Sequence, residues 1–445
     1  MPFLNFVRNG KIDAFAYAWA GALLLLLKQF VDRGVAAAWH ESWSIWSYWM
    51  PLGRLARLSA ASSNDRHFLF VLTAISIPFV FVGVLLTLAR LRTVRLPLWL
   101  VVLFFVPVLN ILFFLLLLSE SHRAASPPRA WLRDSAMAHA IVAVLISTAV
   151  ATSITVWNTR VLGTYGTGLF IALPFCLGLL ASLLYGLRTP RMLGECMAVS
   201  ALAVCIPGIV LLFTAMEGAA CLLMALPLAV PLGLLGGCVG WAMQARPLRE
   251  IRTSLLLLPL LFSPAFSGME ALFRPPSPLL EVRSSVDIAA PPQAVWNQVV
   301  AFGEIPEPTE WLFRAGVAYP IRARIQGRGP GAVRRCEFST GPFIEPIQVW
   351  DEPRLLRFGV TRNPAPMNEW SPYGFLDTPH LHGYLESRQG QFLLTPLPNG
   401  YTRLTGTTWY KHGLWPAAYW TEWSDYIIHR IHMRVLEHIK AAAEA

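Results

Sequence analysis

The sequence predicts an α-helical part with several membrane spans, followed by an α+β domain in which an antiparallel sheet is closed by one long helix. Three observations carry that reading. The chain of 445 residues is 55% hydrophobic and only 14% charged, too apolar for an ordinary soluble enzyme, and the excess sits before residue 272. From about residue 279 onward, short runs of alternating polarity are separated by turn residues, as in strands. In the closing segment 416–445, Trp420, Trp423, Ile427, Ile428, Ile431, Val435 and Ile439 fall on one broad arc of a helix, with Glu422, Arg430 and Glu437 elsewhere.

Taken in order, apolar runs at 15–35, 67–88, 96–118, 135–157, 164–187, 194–216, 218–243 and 254–273 each approach the roughly 20 residues a helix needs to cross a bilayer. Trp39, Trp43, Trp46 and Trp49 recur at spacings of four, three and three and share one helical face. Tryptophan favours the membrane interface, so an amphipathic segment on the bilayer surface is expected, with a packed loop as the alternative. Segment 96–118 reads in two ways. As one span it places Arg90, Arg92 and Arg95 opposite Arg123, Arg129 and Arg133; as a hairpin folding back near Pro107 and Asn110 it puts both clusters on one side. In the second arrangement Arg8, Lys11, Arg188, Arg191, Arg246, Arg249 and Arg252 join them. The amino terminus is then cytoplasmic and the C-terminal domain extracytoplasmic, in a bacterial inner membrane. The first apolar run has no small-residue cleavage site and leads into Lys28, so no cleavable leader is expected.

Strongly polar residues near or within the spans are few: Asn110, His139, Glu195 and Glu217. That scarcity argues against a transporter or proton relay, which needs charges at mid-depth. Prolines such as Pro78, Pro207, Pro227 and Pro231 are expected to kink helices in a packed bundle. The net charge of +10 is dispersed between the apolar runs, with no basic stripe, so nucleic acid is excluded as a partner. Five of the six cysteines fall in membrane segments and only Cys336 in the C-terminal domain, which gives neither a disulfide framework nor a zinc spacing. No metal site or cofactor is assigned on that basis. The organisation is therefore 1–134 and 135–271 in the membrane, a proline-rich linker at 272–280, and a domain at 281–445 held close to the bilayer.

Within that domain Val282, Ser284, Val286 and Ile288 alternate with Arg283, Ser285 and Asp287, and Pro291 and Pro292 end the strand and start a helix. Further strands are expected at 319–327, 332–340, 343–361 with a break at 351–353, and 384–410 turning at 398–400. The loop at 358–383 is long and carries Met367, Trp370 and Tyr373, as lids and interaction surfaces do.

The opening VRSSVDIAAPPQAVWNQVV and the closing LTGTTWY with its long helix resemble the START-like, or SRPBCC, superfamily of polyketide cyclases and lipid-transfer domains. The resemblance implies a helix-grip fold, in which a curved sheet wraps the terminal helix around a largely apolar cavity. In the membrane part, LARLRTVRLPLWLVVLFFVPVLNILFFLLLL is similar to the later part of a family of small bacterial membrane proteins of unknown function, a likeness that implies no activity.

Candidate chemistry is confined to two places. Asp425, His429 and His432 lie on one flank of the terminal helix, where an acid and a base four residues apart can bond. On the strand at 332–340, Arg334 and Cys336 face one side and Arg335 and Glu337 the other; one side is expected to line the cavity, where a buried arginine–glutamate pair would orient a polar ligand head, with a solvent-facing pair as the alternative. Trp296, Trp409, Trp420, Trp423, Ile427 and Ile431 are the expected apolar lining, with Cys336 and Glu337 beside them. Three functions fit: binding or transfer of an apolar small molecule or membrane lipid; a cyclase or dehydratase using Asp425, His429 and Arg334; or a sensor or assembly factor whose cavity is filled by rings.

Overall fold

A computed structural model describes residues 10–41, 43–49, 63–94, 96, 98–105, 109–119, 136–244, 252–273 and 277–445. The expectations for Arg8, Arg95, Pro107, Arg123, Arg129, Arg133, Arg246 and Arg249, and for 274–276 of the linker, concern residues outside that set.

The helices of the first part are α1 (Ala14–Ala38), α2 (Ser63–Thr93), α3 (Leu109–Ser119), α4 (Ala136–Val156), α5 (Leu173–Tyr185), α6 (Leu193–Phe213), α7 (Ala219–Gln244) and α8 (Arg252–Phe273). Six stretches among the described residues are long and apolar enough to cross a membrane: Ala14–Ala38, Phe70–Thr93, Ala136–Leu162, Gly168–Tyr185, Leu193–Phe213 and Ala219–Gln244. The run at 96–118 is not one helix but a 3₁₀ turn, Leu98–Phe105, followed by α3. Leu96 and Leu117 share one apolar cluster with Leu91 and Phe113, and Arg90 Nε donates to Leu117 O at 2.9 Å. In a straight helix those two leucines would stand about 30 Å apart, so the chain returns here to the level it left. Of the tryptophan-rich stretch, Trp39 and Trp43 pack on Phe68 at the start of α2, with ring centroids 5.9 and 6.3 Å away.

One ion pair inside α1 escaped the reading that polar residues are scarce. Lys28 and Asp32 stand four residues apart and bond to each other, and Tyr48 Oη donates to Asp32 Oδ2 at 2.8 Å. Each charge offsets the other, which is how ionisable side chains persist in an apolar span.

The tightest helix pair is α5 with α7. A Cβ on Gly178 would lie 1.8 Å from the Gly233 carbonyl oxygen, and one on Gly236 would lie 2.0 Å from that of Phe175. Lipid tails are as apolar as the helices, so association relies on such close backbone packing rather than on expelled water.

The second part is a seven-stranded antiparallel sheet with strand order β1-β9-β8-β5-β4-β3-β2. Its elements are β1 (Leu280–Ile288), α9 (Pro292–Val300), α10 (Trp311–Arg314), β2 (Pro320–Gln326), β3 (Val333–Phe338), β4 (Gly341–Asp351), β5 (Leu355–Gly359), β6 (Glu369–Ser371), β7 (Gly374–Leu376), β8 (Leu385–Pro396), β9 (Thr402–His412) and α11 (Ala417–Glu444). The domain has the helix-grip fold: the sheet curls around α11, which buries Ile427, Ile428, Val435, Leu436 and Ile439. The core beneath is closed by Ile288, Val295, Trp296, Leu356 and Leu404. Within the loop at 358–383, β6 and β7 form a separate two-stranded hairpin.

Replacing Gly178 by leucine drives a side chain into the α7 backbone. We expect a loss of about 1–3 kcal/mol or failure to assemble, read as a lower thermal midpoint of the detergent-purified chain, whereas Gly194→Ala, which meets nothing within 4 Å, should leave it unchanged.

Candidate functional site

Beneath α11 the sheet encloses a hollow of about 110 Å³. Its apolar wall is Phe338, Phe343, Phe358, Phe392, Ile431 and Val435; its polar floor is Arg334, Glu345, Thr408 and His432. Arg334 and Glu345 sit directly opposite each other on β3 and β4, so antiparallel register delivers the pair. Arg334 is only 2% exposed, bonds Glu345, and lies 5.4–5.5 Å from the ring centroids of Phe302, Phe358 and Phe392. Burial lifts the Glu345 carboxyl above its ordinary range even with the guanidinium against it. One polar atom here has no hydrogen-bond partner, Arg334 Nε.

Several expectations need correction. Glu337 does not line the hollow; it faces outward, bonded to Arg322 at half-exposed positions. Trp296 is core, edge-on to Trp350 at 5.7 Å. Trp409 lies on the outer face of the sheet, where its Nε1 donates to Glu281 at 2.9 Å. Trp420 and Trp423 pack on membrane helices instead, with Trp420 against Phe170 at 4.8 Å, and Ile427 joins a cluster with Leu312 and Phe313. Cys336 and Ile431 do line the hollow. Burial pushes the Cys336 thiol up to about 12, which leaves no thiolate for nucleophilic attack.

Nor do Asp425 and His429 meet. Tyr410 donates its hydroxyl to Asp425, while His429 Nδ1 lies 2.8 Å from Ser284 Oγ and its side chain is exposed. The same serine stands 3.1 Å from His432 Nδ1, and Thr408 Oγ1 is 2.8 Å from His432 Nε2. The flank recognised on α11 is therefore tied down to β1 and β9, and only His432 reaches the hollow.

A second cluster, absent from the sequence reading, lies where the domain meets the helices. Glu369 of β6 is fully buried and accepts from Ala220 N at 3.1 Å and Cys221 N at 3.0 Å, the first turn of α7. Its approach needs Gly218, where a Cβ would lie 2.1 Å from Glu369 Oε2. His380 places Nε2 at 3.1 Å from Glu369 Oε1 and Nδ1 at 3.2 Å from Glu217 Oε2. Tyr165 donates to Glu217 Oε1 at 2.7 Å. Burial disfavours charge on His380, but hydrogen bonds and attraction from Glu217 and Glu369 outweigh it and raise its pKa to about 9. Among the described residues, Glu217, Cys221 and His380 form a group that could hold a metal ion, their ligand atoms lying within 4.8 Å of one another. Glu217 was visible as a residue near a span end; nothing in the local pattern tied it to His380, since the pairing is long-range.

No protein-family model matches the chain, and no curated protein matches it. Solved structures are similar to its C-terminal part. The Zhui aromatase/cyclase from Streptomyces sp. R1128 is 14% identical with a TM-score of 0.25, the match covering 38% of this chain and 94% of that one. A point mutant of norcoclaurine synthase from Thalictrum flavum, in complex with a transition-state analogue, is 10% identical with a TM-score of 0.25, covering 38% of this chain and 97% of that one. A structural-genomics protein from Nitrosospira multiformis is 15% identical with a TM-score of 0.24, covering 36% and 94%. At these identities the likeness concerns the fold alone.

Two outcomes are expected. Glu369→Ala strips two amide donors and His380 of their acceptor, so the chain should lose about 2–3 kcal/mol in thermal unfolding, with Glu369→Gln, which keeps one acceptor oxygen, losing less. His432 is held neutral, chiefly by burial and then by His429, with its pKa lowered from 6.5 to about 4. Because the unfolded chain takes up that proton first, stability is complete above about pH 6.5 and should fall by about 1–3 kcal/mol toward pH 4; His432→Gln should flatten that slope.

Proposed function

We propose that the protein is a membrane-anchored binding protein, whose helix-grip domain takes the polar head and first carbons of an amphipathic molecule into the hollow beneath α11. One observation carries this reading: Arg334 Nε is buried, without a partner, in a hollow whose apolar wall includes four phenylalanines. An orphaned buried donor costs about 1–3 kcal/mol, and a ligand acceptor in the hollow would recover it. Its N–H can donate a hydrogen bond, so the ligand it suits carries an acceptor oxygen, a carbonyl, carboxylate or hydroxyl, at its head. At about 110 Å³ the hollow is smaller than the roughly 300–1,000 Å³ of sites that enclose a whole ligand, which favours partial insertion.

The same reading accounts for the seat of the domain. It rests on the turns after α4 and α6, while the segments after α5 and α7 carry Arg188, Arg191, Arg246 and Arg249 in sequence. Arginine marks the cytoplasmic side, so the domain belongs on the extracytoplasmic face of an inner membrane. The cyclase or dehydratase reading is disfavoured by the separation of Asp425 from His429, and the sensor reading by the presence of an open, polar-floored hollow.

The test uses the full chain in lipid nanodiscs with a fluorescent fatty acid as probe. Uptake should saturate at one equivalent, Ile431→Trp should abolish it by filling the hollow, and the paired change Arg334→Met with Glu345→Leu, which removes both buried charges together, should weaken it about tenfold or more. Uptake that is undiminished in Ile431→Trp would sink the proposal.

A further inference from the structure

The junction cluster does more than hold two parts together, and we infer that it is a transition-metal site of the zinc class, with Glu217, Cys221 and His380 as its protein ligands. The proposal is independent of the hollow. Its first support is geometric. Glu217 Oε2 and His380 Nδ1 lie 3.2 Å apart as a buried ion pair, yet the contact is too poorly aligned to be a full hydrogen bond for either atom. A shared proton wants the two atoms aligned; a shared metal wants them side by side. In a tetrahedral sphere with bonds of about 2.0 Å to nitrogen and oxygen, neighbouring ligand atoms stand about 3.3 Å apart, close to the separation found. Cys221 Sγ falls within 4.8 Å of both and has to close by about 1 Å to reach the ~3.6 Å expected between a ligating sulfur and nitrogen.

The surroundings supply what such a site requires. Tyr165 occupies the other oxygen of Glu217 at 2.7 Å, which leaves Oε2 for the ion. Glu369 sits 3.1 Å from His380 Nε2, the carboxylate–histidine arrangement that fixes the ring and aims Nδ1 at a metal. Charge points the same way. Glu217 and Glu369 are both buried around a single imidazole, and buried anions need compensation. The amides of Ala220 and Cys221 at the start of α7 answer Glu369. A divalent cation taking the place of the His380 proton would neutralise Glu217 together with a Cys221 thiolate. A donor set of imidazole nitrogen, thiolate and one carboxylate suits zinc and disfavours magnesium or calcium. Three protein ligands leave the fourth position to water.

Two of the ligands, Glu217 and Cys221, come from the α6–α7 turn and α7, and the third from the helix-grip domain. An ion there would staple the domain to the membrane helices, so its binding energy adds to their docking.

The experiment uses the full chain, purified in detergent without chelator and titrated with Co²⁺. One equivalent should bind, giving the visible bands of a tetrahedral ion and a near-ultraviolet thiolate band. Cys221→Ser should erase the thiolate band, and His380→Ala should abolish stoichiometric binding. Zn²⁺ should raise the thermal midpoint of the unaltered chain and not that of His380→Ala. A weak octahedral spectrum, the absence of a thiolate band, or equal binding in the variants would overturn the proposal. Should either variant fail to fold, the cobalt spectrum of the unaltered chain decides alone.

Discussion

The arrangement of the whole molecule hangs on one buried carboxylate. Glu369 has no exposed surface, and a bare charge at that depth would cost several kcal/mol. It is tolerated because the first amides of α7 point at it with the positive end of the helix dipole behind them, and because His380 stands on its other side. The hairpin of β6 and β7 exists to deliver that side chain. Around it, three tyrosines of the domain donate to backbone carbonyls of the helices: Tyr373 to Phe213, Tyr384 to Gly163 and Tyr419 to Met224. Gly163 lies just past a helix end and Phe213 is the last residue of α6, positions whose carbonyls point beyond their helix. The domain is therefore seated through specific polar bonds, not merely held near the bilayer by a short linker.

That seat and the hollow share one rigid element. The beginning of α11 carries Tyr419, Trp420 and Trp423 onto Phe170 and Met224, while Ile428, Ile431, His432 and Val435 further along form the roof of the hollow. Ile427 and Ile431 flank the transition, the former in the junction cluster with Leu312 and Phe313. A helix is stiff over this distance, so the roof is positioned by what the first two turns rest on. Trp420 and Trp423, read from sequence as ligand contacts, serve this anchoring role instead.

How much of this was legible follows from which signals are local. The strands, α11 and the break near 351–353 were readable because alternation, amphipathic spacing and proline act over a few residues. The burial of Arg334 was readable as one of two faces; that its partner is Glu345 and not Glu337 depends on the β3–β4 register, which no local pattern sets. The tryptophans were misassigned because an aromatic residue on an apolar arc looks the same whether it meets a ligand, a core or another helix. Lys28 and Asp32 were passed over inside an apolar run, although their spacing of four marks a self-neutralising pair. The junction cluster was out of reach for a different reason: Glu217, Glu369 and His380 are brought together only by docking, and 149 positions separate Ala220 from the carboxylate that caps it.

The aromatic types divide between the seat of the domain and the hollow. Tyrosine and tryptophan, whose rings carry a polar handle, stand at the seat, where apolar helix surface meets backbone carbonyls. Phenylalanine, which has none, surrounds the hollow. Between the two, the cluster of Leu312, Phe313, Met367, Leu381 and Ile427 is itself buried and joins Met224 on the membrane helix to Ile431 at the roof of the hollow. From Trp420 to Ile431 the rise of α11 is about 16 Å, and that whole length is pinned by packing, so the position of the roof follows from the contacts made at the seat.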